Sequence, residues 1–257
     1  MPGIYGGLGP LAHIRFELIL IERNYLRGAR TDQEHPDYVL VSAASTPDRT
    51  ASLVNNDLAA ADHMITYARI LEQAGADFMM VMCNTAHAFH TIVQDSITIP
   101  WVHMVDATAR HIQHTMPGVT RVGILGTNGT LSTRLYHTAL TAYGITPIAP
   151  QLDSEEQALV MDAIYHERYG IKATGAMVSD EARVRLANAA DWCKAHEAQV
   201  IIPACTEVSV ALTAKLYPSV PIIDPLVVAA DTMLDLAYGI TQLSAFTSRS
   251  STKQLGI

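Results

Sequence analysis

The sequence predicts an α/β fold of two pseudo-symmetric, doubly wound domains, each with a mainly parallel sheet flanked by helices and with the site in the cleft between them. Two observations carry this prediction. Short apolar runs alternate with longer segments of helical period, an order that builds a parallel sheet covered on both faces. Segments of the first half also recur, in order, in the second. The chain has 257 residues and is 49% hydrophobic, enough for two cores of roughly 110 residues each.

The strands and helices follow from these runs in chain order. Strands are predicted at residues 3–7, 38–43, 77–82, 101–103, 121–126, 198–203 and 221–223. Helices are predicted at residues 11–27, 56–74, 131–143, 154–168, 179–195 and 226–238. In the helix over 56–74, apolar residues recur at helical spacing, and Gly75 follows as a natural end.

The internal repeat predicts the domain organisation. "IYGGLGP" at 4–10 aligns with "ILGTNGT" at 124–130, "ADFMMVMCNT" at 76–85 with "AQVIIPACTE" at 198–207, and "IPWVHMVDATA" at 99–109 with "VPIIDPLVVAA" at 220–230. The offsets are 120, 122 and 121 residues. We expect a first domain of residues 1–106 plus about 224–240, a second of 107–223, and a flexible Ser/Thr-rich tail of 241–257.

Composition excludes several classes of protein. With 17 Lys and Arg against 25 Asp and Glu, the net charge is −8, and no basic patch predicts a nucleic-acid partner. The apolar runs are too short for a membrane span, and the first residues lack the pattern of a signal peptide, so a cytoplasmic protein is expected. Three cysteines without a CxxC pair argue against a disulfide framework or a zinc site.

Two of the cysteines occupy equivalent positions in the repeat. Cys83, in "VMCNTAHAF", and Cys205, in "IPACTEVSV", each follow a predicted strand and precede a predicted helix. Ligands of parallel sheets bind at such strand ends, and a helix N-terminus there favours a thiolate and binds anions. A buried cysteine is often only a small hydrophobe, which is the interpretation we keep for Cys193 on its helix. The polar residues beside the other two cysteines favour a function.

Two thiols facing one ligand suit two kinds of chemistry. Disulfide redox is one, although it usually uses a CxxC pair. The other is stereoinversion, in which one base removes a proton from one face of a carbon and a conjugate acid returns a proton to the other face. Two identical side chains suit a reaction that must run in both directions.

Four motifs resemble the cofactor-independent aspartate/glutamate racemase family. They are "GGLGP" at 6–10, "PDRTA" at 47–51, "CNTAH" at 83–87 and "ACTE" at 204–207. The resemblance extends to about residue 239 and is closest to the aspartate racemase branch. Glutamate racemases usually have His where this chain has Glu207, which favours the aspartate-like or broad-specificity branch. It implies that Cys83 and Cys205 are the acid/base residues, the first acting on the D-enantiomer and the second on the L-enantiomer.

The resemblance also implies substrate-binding residues. Asn84, Thr85 and Thr206 would bind the substrate α-carboxylate, although Asn and Thr are also common helix N-caps. Gly7 and Thr127, which match in the repeat, would line the same pocket.

Two cations would bind the side-chain carboxylate. Arg49, in a turn-like stretch, and Lys172, in a loop, match the positions that aspartate racemases use for this purpose. A dicarboxylate entering a chain of charge −8 needs such local positive charge, although solvated surface cations would look the same in the sequence.

Three further residues are candidates near the site. Glu207 could tune the Cys205 thiol or accept a hydrogen bond from the substrate ammonium, or simply complement its helix dipole. His87 could orient the Cys83 thiol as a second layer. His13 stands where aspartate racemases often have Thr and could face the pocket, which leaves the identity of the substrate open.

The function predicted is a racemase that interconverts L- and D-aspartate without pyridoxal phosphate, metal or other cofactor. The expected partner is a small amino-acid substrate, best matched by a dicarboxylic one. The family forms homodimers, so the resemblance implies a homodimer. Alternatives are a racemase of glutamate or another amino acid, a hydantoin racemase, a maleate isomerase, a non-catalytic amino-acid-binding protein and a thiol redox protein.

Overall fold

The computed structural model describes residues 1–175 and 177–247, in which strands and helices alternate. The strands are β1 (Pro2–Gly6), β2 (Val39–Ser42), β3 (Phe78–Val81), β4 (Arg121–Leu125), β5 (Thr146–Ile148) and β6 (Val200–Pro203). The helices are α1 (Pro10–Leu26), α2 (Arg49–Asn55), α3 (Ala59–Gln73), α4 (His90–Gln94), α5 (Met104–Thr115), α6 (Asn128–Ser132), α7 (Leu135–Thr141), α8 (Glu155–Tyr165), α9 (Ile171–Thr174), α10 (Asp180–Ala195), α11 (Thr206–Ala211), α12 (Pro225–Ala237) and α13 (Ser244–Thr247).

Each half of the described chain contains one parallel sheet. The strand orders are β2–β1–β3 and β5–β4–β6, so the second sheet repeats the topology of the first. Ile4 of the central strand β1 is in register with Leu40 and Met80, and Gly123 of β4 is in register with Ile148 and Ile201. The predicted α/β fold of two parallel sheets flanked by helices is confirmed.

Helices cover both faces of each sheet because successive strand residues point to opposite faces. Tyr5 packs with α3 in one buried cluster, whereas its neighbour Ile4 packs with α1 and α12 in another. In the second half, Leu125 packs with α8 and α10, and Ile124 packs with α5 and α7. Each sheet is thereby buried between two layers of helices.

Helix α12 packs against the first half of the chain, although it lies late in the sequence. Arg23 of α1 and Arg27, its C-cap residue, form ion pairs with Asp231 and Asp235 of α12, at 2.8 and 2.7 Å. The predicted domain bounds stay a prediction. In the predicted tail, residues 241–247 end in α13, and the Arg110 guanidinium donates to the Ala245 carbonyl at 2.9 Å; residues 248–257 lie outside the described residues.

The structure differs from the predicted elements at a helix break and at three short segments of strand. The helix predicted over 131–143 is two helices, because Arg134 between α6 and α7 has a left-handed backbone, with φ of 55°. The strands predicted at 101–103 and 221–223 form only isolated bridges, Met79 with Trp101 and Ile201 with Ile222. Each follows or contains a proline, which cannot donate to a ladder. Strand β5 was not predicted.

Two site residues predicted in irregular segments lie on helices instead. Arg49 is the first residue of α2, whose N-cap Asp48 accepts a hydrogen bond from the Ala51 amide at 2.8 Å. Lys172 lies on the one-turn helix α9. In the described ranges, none of the helices combines the length and apolar character that crossing a membrane requires.

Candidate active site

A pocket lies beyond the carboxyl ends of strands from both sheets, the edge at which α/β proteins bind ligands. Its cavity volume is about 10 Å³, about the room that one water molecule needs, so its lining side chains lie close together. Both halves contribute its lining residues, which are Leu8, Asp48, Arg49, Thr50, Cys83, Asn84, Thr85, Thr127, Tyr165, Lys172, Cys205, Thr206 and Glu207. All the predicted catalytic and substrate-binding residues except Gly7 therefore meet here, and their roles stay predictions.

Cys83 follows β3 and is buried, with 7% of its surface exposed. His87 Nδ1 lies 2.8 Å from the Cys83 carbonyl oxygen, and His87 Nε2 lies 3.1 Å from the Met104 amide nitrogen. Because an amide can only donate, Nε2 is the acceptor and Nδ1 carries the proton that is donated to Cys83. Burial, and then nearby His103, hold the pKa of His87 well below its usual range. The neutral ring thus supports the backbone of Cys83.

Arg49 is a buried cation next to Cys83. Its guanidinium donates to three backbone carbonyls, those of Thr46 at 3.1 Å, Pro47 at 3.0 Å and Leu8 at 2.9 Å. Its Nε is buried and has no hydrogen-bond partner among the described residues. Burial lowers the pKa of Arg49, but interactions with Cys83 outweigh this and raise it. The arginine is therefore charged and fixed in place, and its Nε–H remains available to a ligand.

Cys205 has a carboxylate beside it instead of a cation. It is the N-cap residue of α11, and its Sγ donates to Glu207 Oε2 at 3.0 Å. Burial, and then the charge of Glu207, raise the pKa of Cys205 well above its usual value. Lys172 Nζ lies 2.7 Å from Glu207 Oε1, and Thr206 donates to Oε2 at 3.2 Å. Burial raises the pKa of Glu207, but the charge of Lys172 lowers it more, and the net shift is downward. Glu207 is therefore ionised and accepts the hydrogen bond of the Cys205 thiol.

Uncharged polar side chains complete the lining. The Tyr136 hydroxyl donates to Asn84 Oδ1 at 2.6 Å, and Asn84 Nδ2 is buried with no hydrogen-bond partner among the described residues. The Thr85 hydroxyl lies 3.0 Å from that of Thr127 and 2.9 Å from that of Thr130. These contacts join the first half of the chain to the second across the pocket, and they provide several hydroxyl and amide donors for an anion.

Gly7, His13 and His87 lie outside the lining of the pocket. Gly7 has φ of +86°, and a Cβ there would stand 2.5 Å from the Ala43 amide nitrogen, so the tight turn after β1 requires glycine. Its amide donates to His13 Nδ1 at 3.1 Å. The next residue, Leu8, lines the pocket in place of Gly7. His13 therefore stabilises the turn after β1 without lining the pocket.

Several residues at or next to the pocket were not predicted. Asp48 and Thr50 line it and flank Arg49 in the "PDRTA" motif, which could have indicated them. Tyr165 gave no sequence signal, yet its hydroxyl donates across the pocket to Asp48 Oδ2 at 3.3 Å. Tyr136, behind Asn84, gave none either. Within the described ranges, no group of three or more His, Cys, Asp or Glu side chains is arranged to hold a metal ion.

Comparison with known proteins gives one consistent result. The model of the family described as Asp/Glu/Hydantoin racemase matches residues 22–233. The broad specificity amino-acid racemase RacX of Bacillus subtilis (strain 168) is 26% identical over 230 residues, which cover 87% of this chain and 92% of that protein.

Solved structures agree with this match. The Picrophilus torridus aspartate racemase is 28% identical, with a TM-score of 0.77 over 92% of this chain and 93% of that one. A glutamate racemase from Francisella tularensis subsp. tularensis SCHU S4, solved in complex with D-glutamate, has a TM-score of 0.61 over 93% of this chain and 81% of that one. At 17% identity, the second likeness concerns the fold alone.

Proposed function

We propose that this chain, which belongs to the Asp/Glu/hydantoin racemase family and is an amino-acid racemase, interconverts L- and D-aspartate by a two-cysteine mechanism. One observation carries the proposal. Two buried thiols, Cys83 and Cys205, stand at equivalent strand ends and line one pocket together with two cations, Arg49 and Lys172. Simple binding of an amino acid would need the cations but not the paired thiols.

The proton transfers balance without a cofactor. A cysteine thiolate takes the hydrogen on Cα as a proton, and the electrons of the broken C–H bond pass to Cα and its carboxylate. The other cysteine donates its S–H proton to the opposite face of Cα. The first sulfur ends as a thiol and the second as a thiolate, so the reverse reaction uses the same groups in exchanged roles.

The surroundings of the two thiols favour different roles in the proton transfers. Cys205 already holds its proton in a hydrogen bond to Glu207, which suits the donor in the conversion of D- to L-aspartate. Cys83 lies beside the charged guanidinium of Arg49, and a neighbouring cation stabilises negative charge on sulfur. Cys83 is then the base for the D-enantiomer.

The carboxylates have separate donors. Asn84 Nδ2, which lacks a partner among the described residues, and the hydroxyls of Thr85 and Thr127 would bind the α-carboxylate. Negative charge builds on this group when Cα loses its proton, so donors fixed in advance lower the barrier. Arg49 Nε and Lys172 would bind the side-chain carboxylate.

A broader substrate range is the second candidate, and it has its own observation. Lys172 is already paired with Glu207 at 2.7 Å, which leaves Arg49 as the more available cation. A relative of similar length, RacX of Bacillus subtilis, carries the description of a broad specificity amino-acid racemase. A pocket with one available cation would still take neutral amino acids. A cytoplasmic homodimer completes the proposal.

The test is proton NMR of L-aspartate with the purified protein in D₂O, without added pyridoxal phosphate or metal. We expect loss of the α-proton signal together with formation of D-aspartate. Glutamate, alanine and maleate are run in parallel. Faster exchange of alanine than of aspartate would replace the first candidate with the second. Conversion of maleate alone would contradict both.

A further inference from the structure

We infer that Tyr136 is a positioning residue for the reaction, because its hydroxyl fixes the amide of Asn84 so that Nδ2 faces the substrate carboxylate. The inference rests on the proposed function, in which Asn84 binds that carboxylate. Tyr136 lies on α7 in the second half of the chain, and Asn84 follows Cys83 in the first. Tyr136 does not line the pocket, so it acts on the substrate only through Asn84.

The distance between the two side chains decides which way the amide faces. Tyr136 Oη and the facing Asn84 atom are 2.6 Å apart. This value suits an O–H···O hydrogen bond, whose usual length is about 2.7 Å, better than an N–H···O bond of about 2.9 Å. The facing atom is therefore Oδ1. The other end of the amide, Nδ2, is consequently turned away from Tyr136 and kept as a donor.

Among the described residues, the Tyr136 hydroxyl donates its proton to Asn84 Oδ1. Thr108 also interacts with the hydroxyl, but it donates its own proton to the Met104 carbonyl at 2.8 Å. Burial raises the pKa of Tyr136 well above its usual value, so the phenol remains a donor. The ring is 1% exposed and packs among Val105, Ala109 and other residues of the second half. A donor held this firmly can select one orientation of an amide.

The reverse orientation would harm binding of an anion. With Oδ1 turned to the pocket, a buried carbonyl oxygen would face the substrate carboxylate and repel it. In the observed orientation, Asn84 Nδ2 is buried and unpaired among the described residues, which is costly unless a ligand accepts from it. Tyr136 thus keeps an unsatisfied donor available for the substrate.

A double-mutant cycle tests the inference. Tyr136→Phe removes only the hydroxyl, and we expect kcat/KM for aspartate to fall about 10- to 100-fold, the usual effect of losing a hydrogen bond to a charged group. In the Asn84→Ala background, the same substitution should change kcat/KM less than about 2-fold, because the two side chains act as one unit. Equal effects of Tyr136→Phe in both backgrounds would overturn the inference.

Tyr217→Phe is the matched control. Tyr217 is also buried, and its hydroxyl donates to Asp191 Oδ1 at 2.5 Å, but neither residue lines the pocket. We expect this variant to keep the wild-type kcat/KM. A loss equal to that of Tyr136→Phe would mean that removing any buried hydroxyl lowers activity, and would overturn the positioning role.

A binding measurement separates this inference from the proposed function. Calorimetric titration of the Cys205→Ala variant with D-aspartate reports affinity without turnover. Tyr136→Phe should weaken that affinity when Asn84 is present and leave it unchanged in the Asn84→Ala background. This pattern would support the positioning role even if the wild type failed to racemise aspartate. Turnover by the wild type, with no dependence of affinity on Tyr136, would overturn the positioning role and leave the proposed function standing.

Discussion

The two halves of the molecule repeat the same sheet but surround their cysteines with opposite charges. Cys83 and Cys205 each follow the third strand of their sheet in chain order. Arg49, held on backbone carbonyls, stands beside the first. Glu207, which accepts a hydrogen bond from the thiol, stands beside the second. The repeated fold thus sets where the sulfurs lie, whereas the surrounding loops and helices set which charge stands beside each of them.

The residues four positions after each cysteine differ as well. Four residues after Cys83, His87 bridges the Cys83 carbonyl and the Met104 amide. Four residues after Cys205, Ser209 donates to Asp224 Oδ1 at 2.9 Å. One half therefore supports its cysteine with neutral imidazoles and the other with a hydroxyl and a carboxyl group. The proposed reaction runs in both directions and needs two bases, and the two thiols that we propose for this role have dissimilar surroundings.

Removing either thiol is expected to have the largest effect. Cys83→Ala and Cys205→Ala should each lower the rate of L–D interconversion by between about 10² and 10⁴, the range for loss of an acid/base group. Polarimetry or chiral chromatography measures it. Cys193→Ala is the control, because Cys193 is buried in the second half outside the pocket and should keep the wild-type rate. A fully active Cys83→Ala or Cys205→Ala variant would contradict the two-thiol mechanism.

Neutralising the cation beside Cys83 should come next. Arg49→Met removes a charge that would bind the side-chain carboxylate, and kcat/KM for aspartate should fall about 10- to 100-fold. For alanine, which has no such carboxylate, we expect a much smaller loss. Steady-state kinetics with both substrates measure the difference. Equal losses for aspartate and alanine would mean that Arg49 serves the thiol or the fold and not the side-chain carboxylate.

Removing the charge beside Cys205 should shift the pKa of that thiol. Since burial and then Glu207 raise it, Glu207→Gln should lower it toward its usual value. Lys172 acts in the opposite direction, so Lys172→Met should raise it further. The pH dependence of alkylation, measured in the Cys83→Ala, Cys193→Ala background, reports Cys205 alone. Shifts of both variants in the same direction would contradict the charge pattern.

The smallest expected effect is on the free energy of unfolding, through the buried histidines near Cys83. Burial lowers the pKa of His87 well below its usual value of 6.5, lowers that of His90, and brings that of His103 to about 3. Below pH 6.5 the unfolded chain therefore binds protons that the folded chain does not. The free energy of unfolding should fall as the pH drops from 7.5 to 5.5, by up to about 1.4 kcal/mol per pH unit for each histidine.

Urea unfolding at the two pH values measures this loss. His90→Gln removes one of the buried imidazoles and should make the loss smaller than in the wild type. His114→Gln, which replaces an exposed histidine, should leave it unchanged. An equal pH dependence for the wild type and His90→Gln would contradict the contribution of the buried His90 imidazole.

The parts predicted from the sequence are those that local patterns encode. Helices with a long apolar period, such as α3 and α10, lie within a few residues of their predicted bounds. The strand ends carrying Cys83 and Cys205 were also predicted, because apolar runs followed by polar residues recur in both halves. Short features were missed. Strand β5 has only three residues, and the break at Arg134 depends on a single left-handed backbone conformation, so neither gives a pattern that predicts it.

Contacts across the pocket could not be predicted for a different reason. Tyr136 and Tyr165 reach Asn84 and Asp48 over 52 and 117 positions of sequence, and each looks in the sequence like an ordinary aromatic residue of an amphipathic helix. Only the packing of the second half against the first aims their hydroxyls at these partners. Spacing along the chain carries no information about such pairs.

The most direct test of the account is the exchange of the α-proton of each aspartate enantiomer in D₂O by the two alanine variants. A single remaining thiol can remove and return a proton on one face only. We expect Cys205→Ala, which retains Cys83, to exchange D-aspartate alone, and Cys83→Ala to exchange L-aspartate alone. Exchange of the same enantiomer by both variants, or of both enantiomers by either one, would contradict it.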